Sequence, residues 1–391
     1  MLKIITKHWP DMPFPDTGHL FSKKYFFFDI ETTGFSKEKN MVYLIGAAYQ
    51  EGNGTSVTQY FAEDGLADEP ELLREFAKFC ADFQCCVTFN GNSFDIPFLQ
   101  KRALQYQVKD PFPHFQKFDL YREIHLFRSL LPISSLKQKS IERFLGIFRE
   151  DRYDGGELIE VYKHFLRNKE ESERQILLLH NYEDVLGMFP LIKMMAYRQI
   201  LHADYQITGV RMHSYTQFDR TDACELLVQA VLTYPVPVSL SFRNNRLACK
   251  SEKKQLHFAI PLLSGCKKLF FKDYKNYYYL PEEDRAIHKS IACFVQGSHR
   301  QKAKASNCYQ KHEGYFLYCP DIWGNSGKKH ANANIPEEKK NMLLKKFPVL
   351  KDSFTDPYSY LLWNENDPHL ENESVEWLLK IYISAFLTYS P

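Results

Sequence analysis

The chain has 391 residues, 44% hydrophobic and 25% charged, with a formal net charge of +2; this is the balance of an ordinary globular protein with room for two domains. No apolar run approaches the ~18 residues of a membrane span, and Met1–His8 lacks the apolar block and cleavage site of a signal peptide. Nine cysteines without even spacing exclude a disulfide framework and point to buried free thiols in a reducing cytoplasm.

The first 24 residues read as an N-terminal extension. Tyr25–Ile30 is a short aromatic run that predicts a buried strand, ended by Gly34. Met41–Tyr49 is a second strand, Gly52-Asn53-Gly54 a hairpin turn, and Ser56–Phe61 a third strand. Apolar residues at 72, 73, 76, 79 and 80 have helical spacing within Glu69–Phe83. Cys85–Asn90 reads as a buried strand that runs through Gly91-Asn92 into a helix from Phe94 to Leu104. Helical patterns then dominate from about Leu120 to Ile200. A β-meander, a helix, another strand and then helices predict an α/β fold: a ribonuclease-H-like mixed sheet flanked by helices over residues 25–205.

The pattern changes near 205–215, where a domain boundary is expected. Residues 210–391 read as a second, smaller α+β domain. Val238–Phe242, Leu247–Lys250 and Gln255–Leu262 read as strands, Lys268–Tyr279 as two more strand pieces, and Ile287–Val295, Glu337–Phe347 and Val375–Leu387 as helices. Ser298–Ser306 and Gly324–Asn334 read as loops. No repeat period is evident. Residues 1–205 carry 25 Lys+Arg and 29 Asp+Glu, whereas 206–391 carry 25 and 19. An acidic first part and a basic second part suit a metal site beside a polyanion-binding surface, and equally two ordinary surfaces.

Four carboxylates stand at the edges of apolar segments. Asp29 and Glu31 close the aromatic strand, and their i, i+2 spacing puts both on one face while Ile30 points into the packed layer. Asp95 follows a strand and a glycine turn, where an acid also favours a helix N-terminus. Asp184 lies on a helix, and His180 shares its face one turn earlier; a solvated helix acid is the plain alternative. Four acids at one point repel each other unless divalent cations neutralise them, and two such cations can hydrolyse a phosphodiester.

The segments around these acids resemble the three motifs of the DEDD (DnaQ-like) 3′–5′ exonuclease superfamily. Phe28-Asp29-Ile30-Glu31-Thr32-Thr33-Gly34 looks like its first motif. Phe89 to Leu99, including Asn90, Asn92, Phe94 and Asp95, looks like its second, in the form found in proofreading domains of family B DNA polymerases. His180-Asn181-Tyr182-Glu183-Asp184-Val185-Leu186 looks like its third. The stretch between, with Phe118-Asp119-Leu120, Leu136-Lys137 and Ile141–Gly146, is similar to bacterial ribonuclease-H-like proteins of the YprB type. The resemblance spans about residues 23–200. It implies hydrolysis of phosphodiesters at single-stranded nucleic-acid ends by a two-metal mechanism, with Mg2+ or Mn2+ on Asp29, Glu31, Asp95 and Asp184. In its terms His180 is the general base, and Thr32, Asn90, Asn92 and Phe94 are candidate substrate contacts. The third motif usually has Tyr four residues before the Asp or His five before it; this chain has His at the Tyr spacing. That departure keeps two further readings open, a catalytically weak nucleic-acid-binding protein on a nuclease fold and a structure-selective endonuclease.

Two features of the second half complete the picture. Lys267–Tyr279 interleaves bases and aromatics, as a single-strand-binding surface does, and equally as two strands with inward rings and edge lysines. Tyr277–Ser290 followed by Cys308-Tyr309 looks like a tail seen beside this nuclease domain in some clostridial proteins, without an activity attached. Cys308, His312 and Cys319 match no standard zinc spacing. Neither a Gly-rich phosphate loop nor a Gly-x-Ser-x-Gly elbow is present.

Overall fold

The structure, a computed structural model, describes residues 1–15, 20, 24–150, 153, 155–319, 347–364 and 372–387. The chain divides into two compact units, Met1–Met195 and Ala196–Pro391. The two units are of nearly equal length. The expected boundary at 205–215 falls inside a strand of the second unit.

Unit 1 is built on a six-stranded sheet. Its strands are β1 (Leu2–Trp9), β2 (Tyr25–Thr32), β3 (Val42–Glu51), β4 (Gly54–Ala62), β5 (Cys85–Thr88) and β6 (Gln116–Asp119), in the order β1-β4-β3-β2-β5-β6. The meander β2–β3–β4 is antiparallel, as the hairpin signals predict, and β5 and β6 add in parallel. Residues 2–9, expected within an extension, pair along β4 from Leu2↔Ala62 to Trp9↔Thr55. All of β4 is buried, although its sequence alternates like a half-exposed strand, because helices cover both of its faces: Gln59 reaches the Leu178 carbonyl of one helix and Tyr60 packs on Phe76 of another. Helices α1 (Glu69–Cys80), α2 (Asp95–Gln105), α3 (Leu120–His125), α4 (Gln138–Phe144), α5 (Gly155–Asn168) and α6 (Glu171–Leu191) complete the unit. This is a mixed α/β, ribonuclease-H-like fold.

The aromatic run of β2 sets the site's orientation. Phe26 packs edge-on to Phe76 and Phe79 of α1, and Phe28 stacks on Phe112. Phe27 faces the other way, 4.8 Å from Phe189 of α6. Asp29 and Glu31 continue the Phe27 face and so lie beneath α6. Glu69 and Arg102, both buried, pair beside the sheet, and Glu69 Oε1 accepts the Val42 amide at 2.9 Å. That amide sits where the β2–β3 register shifts, between Glu31 and Thr32.

Unit 2 is mostly β. Its elements are α7 (Arg198–Leu201), β7 (Tyr205–Thr216), β8 (Asp222–Leu232), β9 (Leu240–Arg243), β10 (Ala248–Glu252), β11 (Gln255–Phe270), β12 (Tyr277–Leu280), β13 (Arg285–His288), α8 (Lys289–Ala292), β14 (Gln301–Lys302), β15 (Tyr309–Cys319), β16 (Val349–Leu350), β17 (Ser359–Trp363) and α9 (Asn372–Leu387). The 16-residue β11 pairs with β8 along its first half and with β15 along its second, so it spans two parts of one eight-stranded sheet. Strand β7 stands where the sequence reads only as the end of a helical stretch, and β8 is a further addition. The Ala, Leu and Glu of β8 favour helix locally, but Cys224, Leu226, Val228, Ala230 and Leu232 alternate inward and tertiary burial decides. The expected helix Ile287–Val295 is a strand end followed by the one-turn α8, and β14 lies inside the expected loop Ser298–Ser306. Glu337–Phe347 lies outside the described residues apart from Phe347, and Gly324–Asn334 lies wholly outside them.

The basic and aromatic segment uses its rings inward. Phe271 stacks on Tyr277 at 4.8 Å, and Tyr274, Tyr277 and Tyr279 pack on Ala286, Ala303 and Cys308. Buried Cys308 belongs to that small core.

Candidate active site

The end of β2, the start of α2 and the middle of α6 meet at one place. Ligand atoms of Glu31, His180 and Asp184 all lie within 4.8 Å of one another; no other such group of three or more His, Cys, Asp or Glu occurs among the described residues. His180 Nε2 stands 3.1 Å from Asp184 Oδ2 and 3.6 Å from Glu31 Oε1. The i, i+4 spacing on α6 makes the first contact. Tyr182 turns away, its ring 5.3 Å from Trp9.

Asp95 joins the group through the backbone of β2. Strand β5 pairs with β2 only as far as Phe27, so the Ile30 amide has no ladder partner on that side. Asp95 Oδ1 accepts it at 3.2 Å. Asp29 is held from α6: Asn181 Nδ2 donates to its backbone carbonyl and to its Oδ2, each at 3.2 Å. Asn181 is fully buried and accepts from Gln59 Nε2 at 3.0 Å. Gly46, opposite Asp29 on β3, makes room for it, since a Cβ there would stand 2.1 Å from Asn181 Oδ1. Gly46→Ala is expected to destabilise unit 1 by about 1–3 kcal/mol and, by displacing a group that orients a ligand, to lower turnover roughly 10- to 100-fold. Thermal melting and nuclease assays on the same preparation check both.

Burial, mutual repulsion and neighbouring partners shift these acids in different directions. Desolvation, then the charges of Asp184, Asp95 and Glu31, push the Asp29 carboxyl well above the usual range. Burial raises Asp95 to about 7, with Asp119 and Asp184 adding to it against its backbone hydrogen bonds. Burial also pushes Asp184 up, but the hydrogen bond from His180 and the charge of Arg149 outweigh it and leave this carboxyl below its ordinary value. Buried carboxylates held this close together are the kind of donor set that a hard divalent cation stabilises, and the residues fit such an ion.

The second-motif loop is braced by a residue to which the sequence assigned no role. Asp119, at the end of β6, accepts the Asn90 amide on Oδ1 at 2.8 Å and the Asn92 amide on Oδ2 at 3.1 Å, and caps α3 through Arg122 N. Asn90 adopts φ +65°, which Asn tolerates better than most residues. The Asn92 Oδ1 is buried without a hydrogen-bond partner among the described residues. Thr32 turns its hydroxyl to the Gly34 carbonyl at 2.9 Å. Phe94 leans on Phe98 and on Phe35, 6.2 Å away and 85% exposed, so two rings line the surface beside the first and second motifs. Phe35, Asn181, Asp119 and Arg149 are the neighbours of the site that reading the motifs alone did not single out. Asn181 carried the one available signal: an amide on the same α6 turn as His180 and Asp184.

A match to one family of known proteins agrees with this fold. Residues 26–196 match the sequence model of the RNase_H superfamily. Among solved structures, the chain is similar to a family B DNA polymerase from the hyperthermophilic archaeon Pyrobaculum calidifontis, at 15% identity and a TM-score of 0.35 over 69% of this chain and 40% of that one. It is also similar to E. coli exonuclease I in complex with a dT13 oligonucleotide, at 14% identity and a TM-score of 0.27 over 54% and 55% of the two chains. The chain thus spans about half the length of these structures. None of the curated proteins matches it. No helix among the described residues is long and apolar enough to cross a membrane.

Proposed function

We propose that unit 1 is a 3′–5′ exonuclease of the DEDD type, hydrolysing phosphodiester bonds at single-stranded ends of DNA or RNA with Mg2+ or Mn2+. The observation that carries this reading is the convergence of Glu31, His180 and Asp184 within 4.8 Å, with Asp95 held to the Ile30 amide of the same strand and Asp29 held by Asn181, the helix neighbour of His180. When bound, two divalent ions would supply an activated water and charge neutralisation at the phosphate. Asp29, Glu31, Asp95 and Asp184 are the groups to hold them. His180 lies beside the acids and is the proton acceptor in this scheme, a role open to its Nε2 once that atom is released from its hydrogen bond to Asp184 Oδ2.

The exposed Phe35 and its neighbour Phe94 suit stacking of terminal bases, a contact tolerant of sequence. Phe35→Ala is expected to raise KM for single-stranded substrate by about 5- to 150-fold, from about 1–3 kcal/mol of lost stacking, with kcat changed less. Steady-state kinetics on oligonucleotides check this.

The reading itself is tested with a 3′-labelled single-stranded oligonucleotide in Mg2+ or Mn2+. The wild type should release labelled mononucleotide and Asp29→Ala should not. Equal degradation by both, or tight binding without turnover in either metal, defeats it.

A further inference from the structure

Asp184 has a resident cation. Arg149 pairs through Nη1 with Asp184 Oδ1, the oxygen that His180 leaves free. This guanidinium is 8% exposed, and its Nε and Nη2 fork onto the two oxygens of Glu142, itself 1% exposed. Gln138 Nε2 ties the assembly together, donating to Glu142 Oε1 at 3.0 Å and to the Asp184 carbonyl at 2.7 Å. Gly187 on α6 provides the space. A Cβ there would stand 2.2 Å from Glu142 Oε1, 2.8 Å from Gln138 Nε2 and 2.9 Å from Arg149 Nη2. A glycine within a helix interior, a buried acid and an amide therefore converge to hold one guanidinium against one acid of the site.

A plain buried ion pair would need Arg149 and Glu142 alone. Here the planar fork spans two carboxylates, and one of them belongs to the set that fits divalent metal. A guanidinium and a divalent cation on the same carboxylate share its negative charge, and each lowers the other's attraction to the cluster through charge repulsion.

We propose that Arg149 is a built-in counter-cation of the site, which fixes the Asp184 carboxylate before metal arrives and competes with divalent cations for it. The metal concentration the site needs is then set by this arginine. The inference rests on the metal-site reading above, and the experiment separates the two.

Mn2+ is titrated calorimetrically into the metal-free full chain of the wild type, Arg149→Gln and Arg149→Lys, and each is melted in EDTA and in Mn2+. Arg149→Gln should bind Mn2+ about tenfold tighter or more, melt lower than the wild type in EDTA, and regain most of that loss when Mn2+ is added. Arg149→Lys keeps the charge and should stay within about threefold of the wild-type affinity. Unchanged or weaker Mn2+ binding by Arg149→Gln overturns the proposal, because an arginine that only braces Asp184 would weaken metal binding when removed. If Arg149→Gln does not fold, Glu142→Gln decides. It leaves the guanidinium to Asp184 and should weaken Mn2+ binding several-fold, and unchanged binding overturns the proposal. A wild type that binds no Mn2+ removes the metal-site reading itself, and this inference with it.

Discussion

Asp29→Asn is expected to lower nuclease turnover by about 10³-fold or more while making the metal-free protein more heat-stable. The loss follows from the role proposed for Asp29 as a metal ligand, since such a ligand contributes several kcal/mol of charge stabilisation to phosphoryl chemistry. The gain follows from the same position, since its carboxyl is desolvated and repelled by Asp184, Asp95 and Glu31. A folded-state pKa above the ordinary value means stability that is full at low pH and lost as pH rises through the folded value. Asp95 moves from 3.8 to about 7, and Asp29 moves in the same direction. The wild-type Tm in EDTA should therefore fall between pH 5 and pH 8. Asp184, lowered instead, is ionised throughout that window and adds no slope there. In Asp29→Asn the fall should be shallower and the Tm at pH 8 higher, by about 2–4 °C for each kcal/mol removed. Saturating Mn2+ should erase the difference at pH 8 or reverse it, since only the wild type keeps the full donor set. Melting curves at the two pH values check the sign.

Arg102→Ala should produce the largest stability loss in unit 1. Arg102 Nε donates to Glu69 Oε1 at 2.8 Å and its Nη2 pairs with Oε2, with both side chains almost wholly out of water. Tyr106 donates to the same carboxylate at 3.0 Å. Removing the arginine leaves Glu69 buried and uncompensated, which costs about 3–5 kcal/mol, or roughly 6–20 °C in Tm at about 2–4 °C per kcal/mol. Glu69→Gln combined with Arg102→Met should recover most of that loss, because a neutral amide still accepts the Val42 amide and no charge is stranded. The effect should reach the site, since Val42 lies opposite Thr32 at the register shift that ends β2. Differential scanning calorimetry of the single and double variants measures both terms.

What could be read from the sequence followed from short-range geometry. The run Phe26-Phe27-Phe28 announces a buried strand, and period-2 alternation then puts Asp29 and Glu31 on one face. The i, i+4 relation on a helix puts His180 beside Asp184. What could not be read depends on partners distant in the chain. Asn181 acts on Asp29 from 152 positions away, Arg149 on Asp184 from 35, and Asp119 on the Asn90 amide from 29. Nothing local to Arg149 or Asp119 distinguishes them from surface polar groups, and Asn181 offers only its place on the α6 turn of His180 and Asp184. Strand β1 escaped for a related reason: on a sheet edge, with Lys3, Thr6, Lys7 and His8 among its residues, its only strong statement is its ladder to β4.

End polarity on single strands tests the central claim most directly. The wild type is incubated in Mn2+ with a linear oligonucleotide labelled at the 3′ end, the same strand labelled at the 5′ end, and a circular single strand. The account predicts that the 3′ label leaves first as mononucleotide, that the 5′ label stays on a steadily shortening strand, and that the circle survives. Loss of the 5′ label first, nicking of the circle at a comparable rate, or undiminished cleavage in EDTA would contradict it.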